Sequence, residues 1–378
     1  MIFVKVEGQT SSIKIADSLY TLGNYAEAIK TYQKITKKDQ YILLQIAKAH
    51  KAKGTYLDAL HYYEKAINQD STVASSKLEY AKLLVTTNKF KKADSVYSNL
   101  VATHNNNPNF QYRLGSVKKK LKDSTAIQYF ETAFRLDSTH QKSCFEVSMH
   151  YLRKRKYNLV SDIANKGLSS YPENPELLNV LAQNYLLRKY YTEAIPYFEK
   201  LLSLNYTNEF IHASLALCYH KNYDYDLAIA QYQKALKYND KVPIRYTRMA
   251  QAYESIKKYD EALDSYKAAL TLKDVPIDED LLNIAMVYRH QEEWEKAMAQ
   301  AKLALKENPN YARAQYQLAA FADAYYKDPQ TKLDYYNLFM KKFGDDTDKG
   351  KYFNFIVKKR ITQLEEEIEA NKKTIERN

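Results

Sequence analysis

The segment Tyr225–Tyr232, YDLAIAQY, returns as YDEALDSY at Tyr259–Tyr266, 34 residues further along the chain. Moving outward with the alanine in its fourth place as anchor, the phrase recurs at Ala28, Ala59, Ala93, Ala126, Ala194, Ala228, Ala262 and Ala297. Val160 stands in the same place in KYNLV. Successive anchors are 31, 34, 33, 34, 34, 34, 34 and 35 residues apart. A period of this length marks an architecture built from repeats.

A constant skeleton surrounds each anchor. Four residues on stands an aromatic, Tyr32, Tyr63, Tyr97, Phe130, Phe198, Tyr232 or Tyr266, with Ala164 and Ala301 as exceptions. Three residues before stands Tyr25, Tyr56, Phe90, Tyr157, Tyr191, Tyr225, Tyr259 or Trp294. Roughly twelve residues upstream, a large apolar residue precedes a small one, as in Ile15-Ala16, Ile46-Ala47, Leu114-Gly115, Leu181-Ala182, Leu215-Ala216, Met249-Ala250 and Ile284-Ala285. Apolar spacing of this kind on either side of a short polar turn predicts two antiparallel amphipathic helices. The small residues allow close approach of the two backbones, and the aromatics fill the wider gaps between pairs. One pair cannot bury its own apolar face, so the pairs must stack into a solenoid.

These features resemble the tetratricopeptide repeat family over nine repeats, from about Gln9 to Pro309. The resemblance rests on the repeat length, the small residue of the first helix and the Tyr-x-x-Ala-x-x-x-Tyr run of the second. It implies an all-α, right-handed superhelix of stacked helix pairs. Two repeats depart from the pattern: the one at Ala126 has a shortened turn without its aromatic, and the one at Val160 has Val160 and Gly167 where alanine is usual. Residues 310–344 read as a degenerate terminal repeat, with helices expected over Tyr311–Lys327 and Gln330–Phe343 and a stop at Gly344-Asp345-Asp346. Residues 345–378 read as a capping segment with one helix over about Lys349–Arg377, and the cap proper as Gln330–Leu364. Residues 1–8 are set apart as a leader. They lack a basic n-region, so they could be only the remnant of an export signal beginning upstream.

Composition agrees with this reading. Seven glycines and eight prolines in 378 residues disfavour turn-rich β architectures, and 36 tyrosines against 13 phenylalanines reflect the repeated aromatic places. Two cysteines exclude a disulfide-stapled scaffold. Cys144 and Cys218 lie in first helices two repeats apart, beyond disulfide reach. No run of 18 apolar residues is present, so a soluble chain is expected. It would be cytoplasmic, or in a bacterial periplasm or envelope if an export signal was lost. The net charge of +12 is uneven: +14 over residues 1–250, −5 over 251–300 and +3 over 301–378.

The sequence encodes no phosphate-cradling glycine loop, no nucleophile elbow and no His-Glu-x-x-His. Its eight histidines show no metal-ligand spacing, so neither a metal nor another cofactor is expected. Asp278-Glu279-Asp280 reads as a helix start complementing the dipole rather than a catalytic pair. The chain is therefore expected to bind, not to catalyse.

Two surfaces could bind. In the family that the chain resembles, first helices line a concave face that holds a peptide or helix. By that resemblance the groove would be lined by Leu44, Leu78, Tyr112, Phe145, Met149, Asn179, Gln183, Phe210, Arg248, Gln251 and Met286, with Leu186 and Thr247 beside them. The places of a two-carboxylate clamp hold Ile13, Asp17, Leu44, Lys48, Leu78 and Lys82, so the carboxylate tail of a chaperone is disfavoured as partner. The second surface is a basic ridge on the turns between first and second helices. Its densest part is Lys118, Lys119 and Lys120, followed one repeat later by Arg153, Lys154, Arg155 and Lys156. Such a ridge could meet nucleic acid or an anionic membrane. The acidic 251–300 segment and the few aromatics beside the lysines disfavour nucleic acid. A helical seam of Val357, Ile361, Leu364, Ile368 and Ile375 is too short, with Asn371 on it, to favour a homodimer.

Overall fold

The computed structural model describes residues 2–273, 277–344 and 350–377. Among these the chain is helical throughout, with no strand. It divides into two compact units, Met1–Asn184 and Tyr185–Asn378.

In the first unit the pairs are α1 (Ile2–Thr21) with α2 (Tyr25–Lys34), α3 (Gln40–Lys53) with α4 (Tyr56–Gln69), and α5 (Ala74–Thr86) with α6 (Phe90–Thr103). They continue as α7 (Pro108–Lys120) with α8 (Ala126–Leu136), and α9 (Gln141–Arg153) with α10 (Tyr157–Ser170). α2, α4, α6 and α8 also pack on the first helix of the next pair, so the pairs stack in chain order. The chain passes from the first unit to the second within α11 (Pro175–Leu187). The second unit continues with α12 (Tyr191–Ser203), then pairs α13 (Glu209–Lys221) with α14 (Tyr225–Tyr238), α15 (Pro243–Ser255) with α16 (Tyr259–Thr271), and α17 (Asp278–His290) with α18 (Trp294–Glu307). It ends in α19 (Ala312–Tyr325), α20 (Pro329–Phe343) and α21 (Lys351–Arg377). The expected stacking of helix pairs is thus present in each unit.

The repeated places form the core. Ala28, Ala59, Ala93, Val160, Ala194, Ala228, Ala262 and Ala297 have no exposed surface, and Ala126 keeps only a trace. Tyr32, Tyr63, Tyr97, Phe130, Phe198, Tyr232 and Tyr266 are buried four residues on. Removing each ring from water stabilises the stack by roughly 2 kcal/mol. Ile15 departs from its expected place and is exposed beside buried Ala16. Helix starts are set locally. Asn107 Oδ1 accepts the backbone N–H groups of Asn109 and Phe110 at 3.0 and 3.2 Å, with Pro108 supplying the first helical residue.

From α1–α2 to α17–α18, the turn between first and second helix closes through a left-handed residue. These are Gly23, Gly54, Asn88, Lys122, Arg155, Lys189, Tyr223, Lys257 and Glu292, with φ between 55° and 86°. Only two are glycine. Each of the six that is neither glycine nor asparagine costs about 1 kcal/mol relative to glycine.

α1 begins at Ile2 and so takes in residues that the sequence set apart as a leader; Met1 lies outside the described residues. α19 and α20 match their expected spans to within two residues, and α21 starts at Lys351 rather than Lys349. Asp345 and Asp346 of the stop signal lie outside the described residues. On α21, Val357 and Leu364 are fully buried and Ile361 and Ile368 half-buried against Leu333, Tyr336 and Phe339 of α20. Arg360 adds a two-pronged contact to Asp323 of α19, at 2.7 and 2.9 Å. This part of the apolar seam is therefore used within the chain. The side chain of Ile375 lies outside the described residues.

Candidate functional site

The inner-face candidates of the first unit are carried by α3, α5, α7, α9 and α11. Leu44 and Leu78 lie half-buried against a cluster that includes Tyr63, Tyr80, Leu84 and Leu114. The Tyr112 ring leans on Phe130 and His140, with centroids 5.6 and 5.4 Å away. Phe145 and Met149 pack on Leu152, Val160 and Val180. Asn179 and Gln183 are half-buried. In the second unit, Phe210 is 45% exposed with its ring edge on Phe198, and Gln251 is exposed. Arg248 is half-buried, as is Met286 against the cluster around Leu282. Most predicted lining residues therefore share their surface between the core and solvent.

A cleft of about 350 Å³ opens over α5, α7 and α9. Tyr112 is the inner-face candidate that it takes in, and Lys120 of the expected basic ridge lines it too. Lys82, Val85, Arg113, Ser116, Lys120 and Lys142 also line it, with Tyr97 and Val117 toward the core. Tyr97 is pushed above its usual pKa by burial, and the nearby Arg113 opposes that rise. Sequence reading missed Arg113, Ser116 and Lys142 as lining residues. A usable signal was present, because Lys82, Ser116 and Met149 each follow directly on the small residue of their helix and so share a face. A second cleft, of about 600 Å³, is lined largely from second helices α8 and α10, by Phe134, Leu159, Ile163 and Lys166 among others.

The side chains of the basic run of α7 do not face one way. Lys118 is turned inward between Asp94 at 3.3 Å and Asp123 at 3.1 Å, its side chain only 14% exposed. Burial alone would lower its pKa, but the two carboxylates outweigh that and hold it above the usual lysine value. Lys119 bonds Glu146 at 2.6 Å, and Lys120 faces the cleft. One repeat later, Arg153, Lys154, Arg155 and Lys156 are all exposed around the left-handed turn.

Thiols and carboxylates of kinds that carry chemistry elsewhere are absorbed by structure. Burial raises the Cys144 thiol to about 11 and the Cys218 thiol to about 12, and both are free and buried. Asp280 is buried, bonded to Lys273 and approached by the Thr247 hydroxyl at 3.4 Å, while Asp278 accepts from Asn308 at 2.7 Å. At the clamp places, the Asp17 carboxylate accepts the hydroxyls of Tyr32 and Tyr41. Among the described residues no cluster of His, Cys, Asp and Glu is placed to hold a metal ion. None of the helices there is long and apolar enough to cross a membrane.

Two family models match the sequence: a tetratricopeptide repeat over residues 11–39, and subunit 3 of the anaphase-promoting complex, or cyclosome, over 187–269. The chain thus carries repeats of the tetratricopeptide kind, matched directly over residues 11–39. The matched segments are α1–α2, with the turn that follows, and the repeats from the end of α11 to α16. Comparison with curated proteins finds no match. Among solved structures, MamA is similar at 20% identity, covering 45% of this chain and 92% of its own, with a TM-score of 0.42. Yeast Tom70 is similar at 14% identity over 96% of this chain and 97% of its own, TM-score 0.38. YrrB, described as a TPR protein with an unusual peptide-binding site, is similar at 17% identity over 68% and 96%, TM-score 0.36. Tetratricopeptide repeat proteins are commonly protein-interaction scaffolds.

Proposed function

We propose that the chain is a non-catalytic scaffold that holds an extended peptide or an amphipathic helix of a partner protein against the inner face of its first helices. The observation that carries this reading is the cleft over α5, α7 and α9, in which three successive repeats contribute side chains from their first helices. Half-buried rings and aliphatic groups beside solvent-facing polar groups suit an amphipathic segment. Its energetic core would be the few aromatic and apolar anchors, with the surrounding contacts adding complementarity. Phe210 and Ile244, on the first turns of α13 and α15, offer exposed apolar surface of the same kind in the second unit.

A second reading, contact with an anionic surface through the turns, is favoured by Arg153–Lys156, four exposed cations in succession. Two sets of variants separate the readings. Tyr112→Glu with Gln183→Glu is expected to weaken capture of protein partners at least tenfold, by placing charge where an apolar contact is needed. Reversal of Arg153, Lys154, Arg155 and Lys156 to glutamate is expected to leave that capture within twofold at physiological salt. Loss of RNA or anionic-vesicle binding on the second change, with the first without effect, would move the function to the turns.

A further inference from the structure

We propose that the start of α21 docks on a membrane leaflet rich in anionic phospholipid. Tyr352, Phe355 and Ile356 enter the boundary between headgroups and acyl chains, and the lysines around them meet the phosphates. This surface is separate from the inner face and belongs wholly to the second unit.

α21 carries two apolar stripes on opposite sides. Val357, Ile361, Leu364 and Ile368 face α20 and are used in the core. Tyr352, Phe355 and Ile356 lie on the far side, because each residue of a helix turns the direction by about 100°. They are 77%, 78% and 41% exposed, an apolar patch that nothing in the chain covers. The patch is held in place from below. The Tyr352 ring meets Phe353 edge-on with centroids 5.2 Å apart, and Phe353 stacks on Tyr316 of α19 at 4.7 Å. The Asn354 amide donates to the carbonyls of Phe343 and Gly344 at 3.3 and 3.1 Å. That contact brings the end of α20, with Lys341 and Lys342, beside the start of α21.

The charge around the patch points to the occupant. Residues 341–360 carry seven Lys and Arg against three Asp, whereas the rest of 185–378 carries 23 against 26. Lys341, Lys351, Lys358 and Lys359 are exposed and, among the described residues, form no ion pair; Arg360 is taken by Asp323. The acids of α21 begin at Glu365, about 14 Å along the axis from Ile356. Salt screens exposed charges beyond about 8 Å, so those acids do not cancel the lysines. Exposed aromatics flanked by lysines suit a membrane boundary, where rings sit at the headgroup level and each lysine adds attraction to an anionic leaflet. A second copy fits worse, because a two-fold contact through the patch would set these lysines against themselves. An acidic protein would need a pocket shaped for both rings, whereas a leaflet takes protruding rings without one.

Flotation of the full chain with vesicles tests this. We expect binding to phosphatidylcholine vesicles containing about one-third phosphatidylglycerol, and little to phosphatidylcholine alone. The triple variant Tyr352→Ser, Phe355→Ser, Ile356→Ser should weaken binding about tenfold or more, and Lys358→Glu with Lys359→Glu should do the same. The apolar variant is decisive, because a purely electrostatic contact through Arg153–Lys156 would not respond to it. All five side chains are exposed, so helicity by circular dichroism should not change. An environment-sensitive fluorophore attached at Phe355→Cys should brighten on the anionic vesicles, the two native thiols being buried. No binding to anionic vesicles, or binding within twofold of the parent after the triple change, would overturn the proposal. With vesicles unbound, self-association that the triple change disperses would give the face to a second copy. A polyglutamate peptide bound in place of vesicles would give it to an acidic protein.

Discussion

Lys273→Met is expected to destabilise the chain by about 3 kcal/mol, the largest effect foreseen for a single side chain outside the aromatic core. Asp280 is 3% exposed, and Lys273 is its cationic partner. The Thr247 hydroxyl at 3.4 Å is a weak second contact. Removing the ammonium leaves a carboxylate in a place where the first unit has Ile42, Ser76, Phe110, Ser143 and Leu177, and a buried charge without its partner is costly. Lys273→Met combined with Asp280→Asn should recover most of the loss, since the charge then disappears from both sides. Urea denaturation of the two variants at neutral pH decides the matter. Equal stability of Lys273→Met and the parent chain would mean that Asp280 is hydrated, and that the pair contributes no more than a surface ion pair.

Gly167→Ala is expected to cost about 1–2 kcal/mol, although the same change in an open helix would stabilise by roughly 1 kcal/mol. An added Cβ would clash with Leu177 Cδ1 and stand 3.1 Å from Cys144 Cβ and 3.2 Å from its sulfur. Leu177 and Cys144 are both fully buried, so neither can swing into solvent to make room. Overpacking of this kind typically costs 1–3 kcal/mol. The corresponding places Ala66, Ala133, Ala235, Ala269 and Ala304 accept a methyl group without exposure. Conforming to the repeat pattern at 167 should therefore harm the protein. Leu177→Val should be less damaging in the Gly167→Ala background than alone, giving a coupling of order 1 kcal/mol in a double-mutant cycle. A rise in melting temperature for Gly167→Ala would refute the close approach.

The period and the paired helices were legible because packing repeats at fixed residues: alanine where backbones meet, an aromatic ring where pairs meet. The glycine at 167 was visible as a departure, but its cause was not. That cause lies in Leu177 of the next repeat, ten residues away in sequence. The turn residues were illegible for a different reason. Left-handed backbone normally announces itself through glycine, yet Lys122, Arg155, Lys189, Tyr223, Lys257 and Glu292 occupy it here. The inner face was readable as a set of places, since helical spacing assigns residues to faces. Which of them meet in one cleft was not, because Lys82, Tyr112 and Lys142 converge only once three pairs have stacked. The lysine run shows the same limit. In sequence Lys118, Lys119 and Lys120 are one block of charge, and only the positions of Asp94, Asp123 and Glu146 separate them.

The most direct test of the scaffold account is site-specific photocrosslinking in the source cell. A benzophenone side chain would replace Lys48, Lys142 or Gln183 on first helices, Leu57 or Leu159 on second helices, or Arg155 at a turn. All six lie in the first unit. The account predicts discrete protein adducts from 48, 142 and 183, and little from the other three. Adducts concentrated at 57, 159 or 155, with none from the first helices, would contradict it.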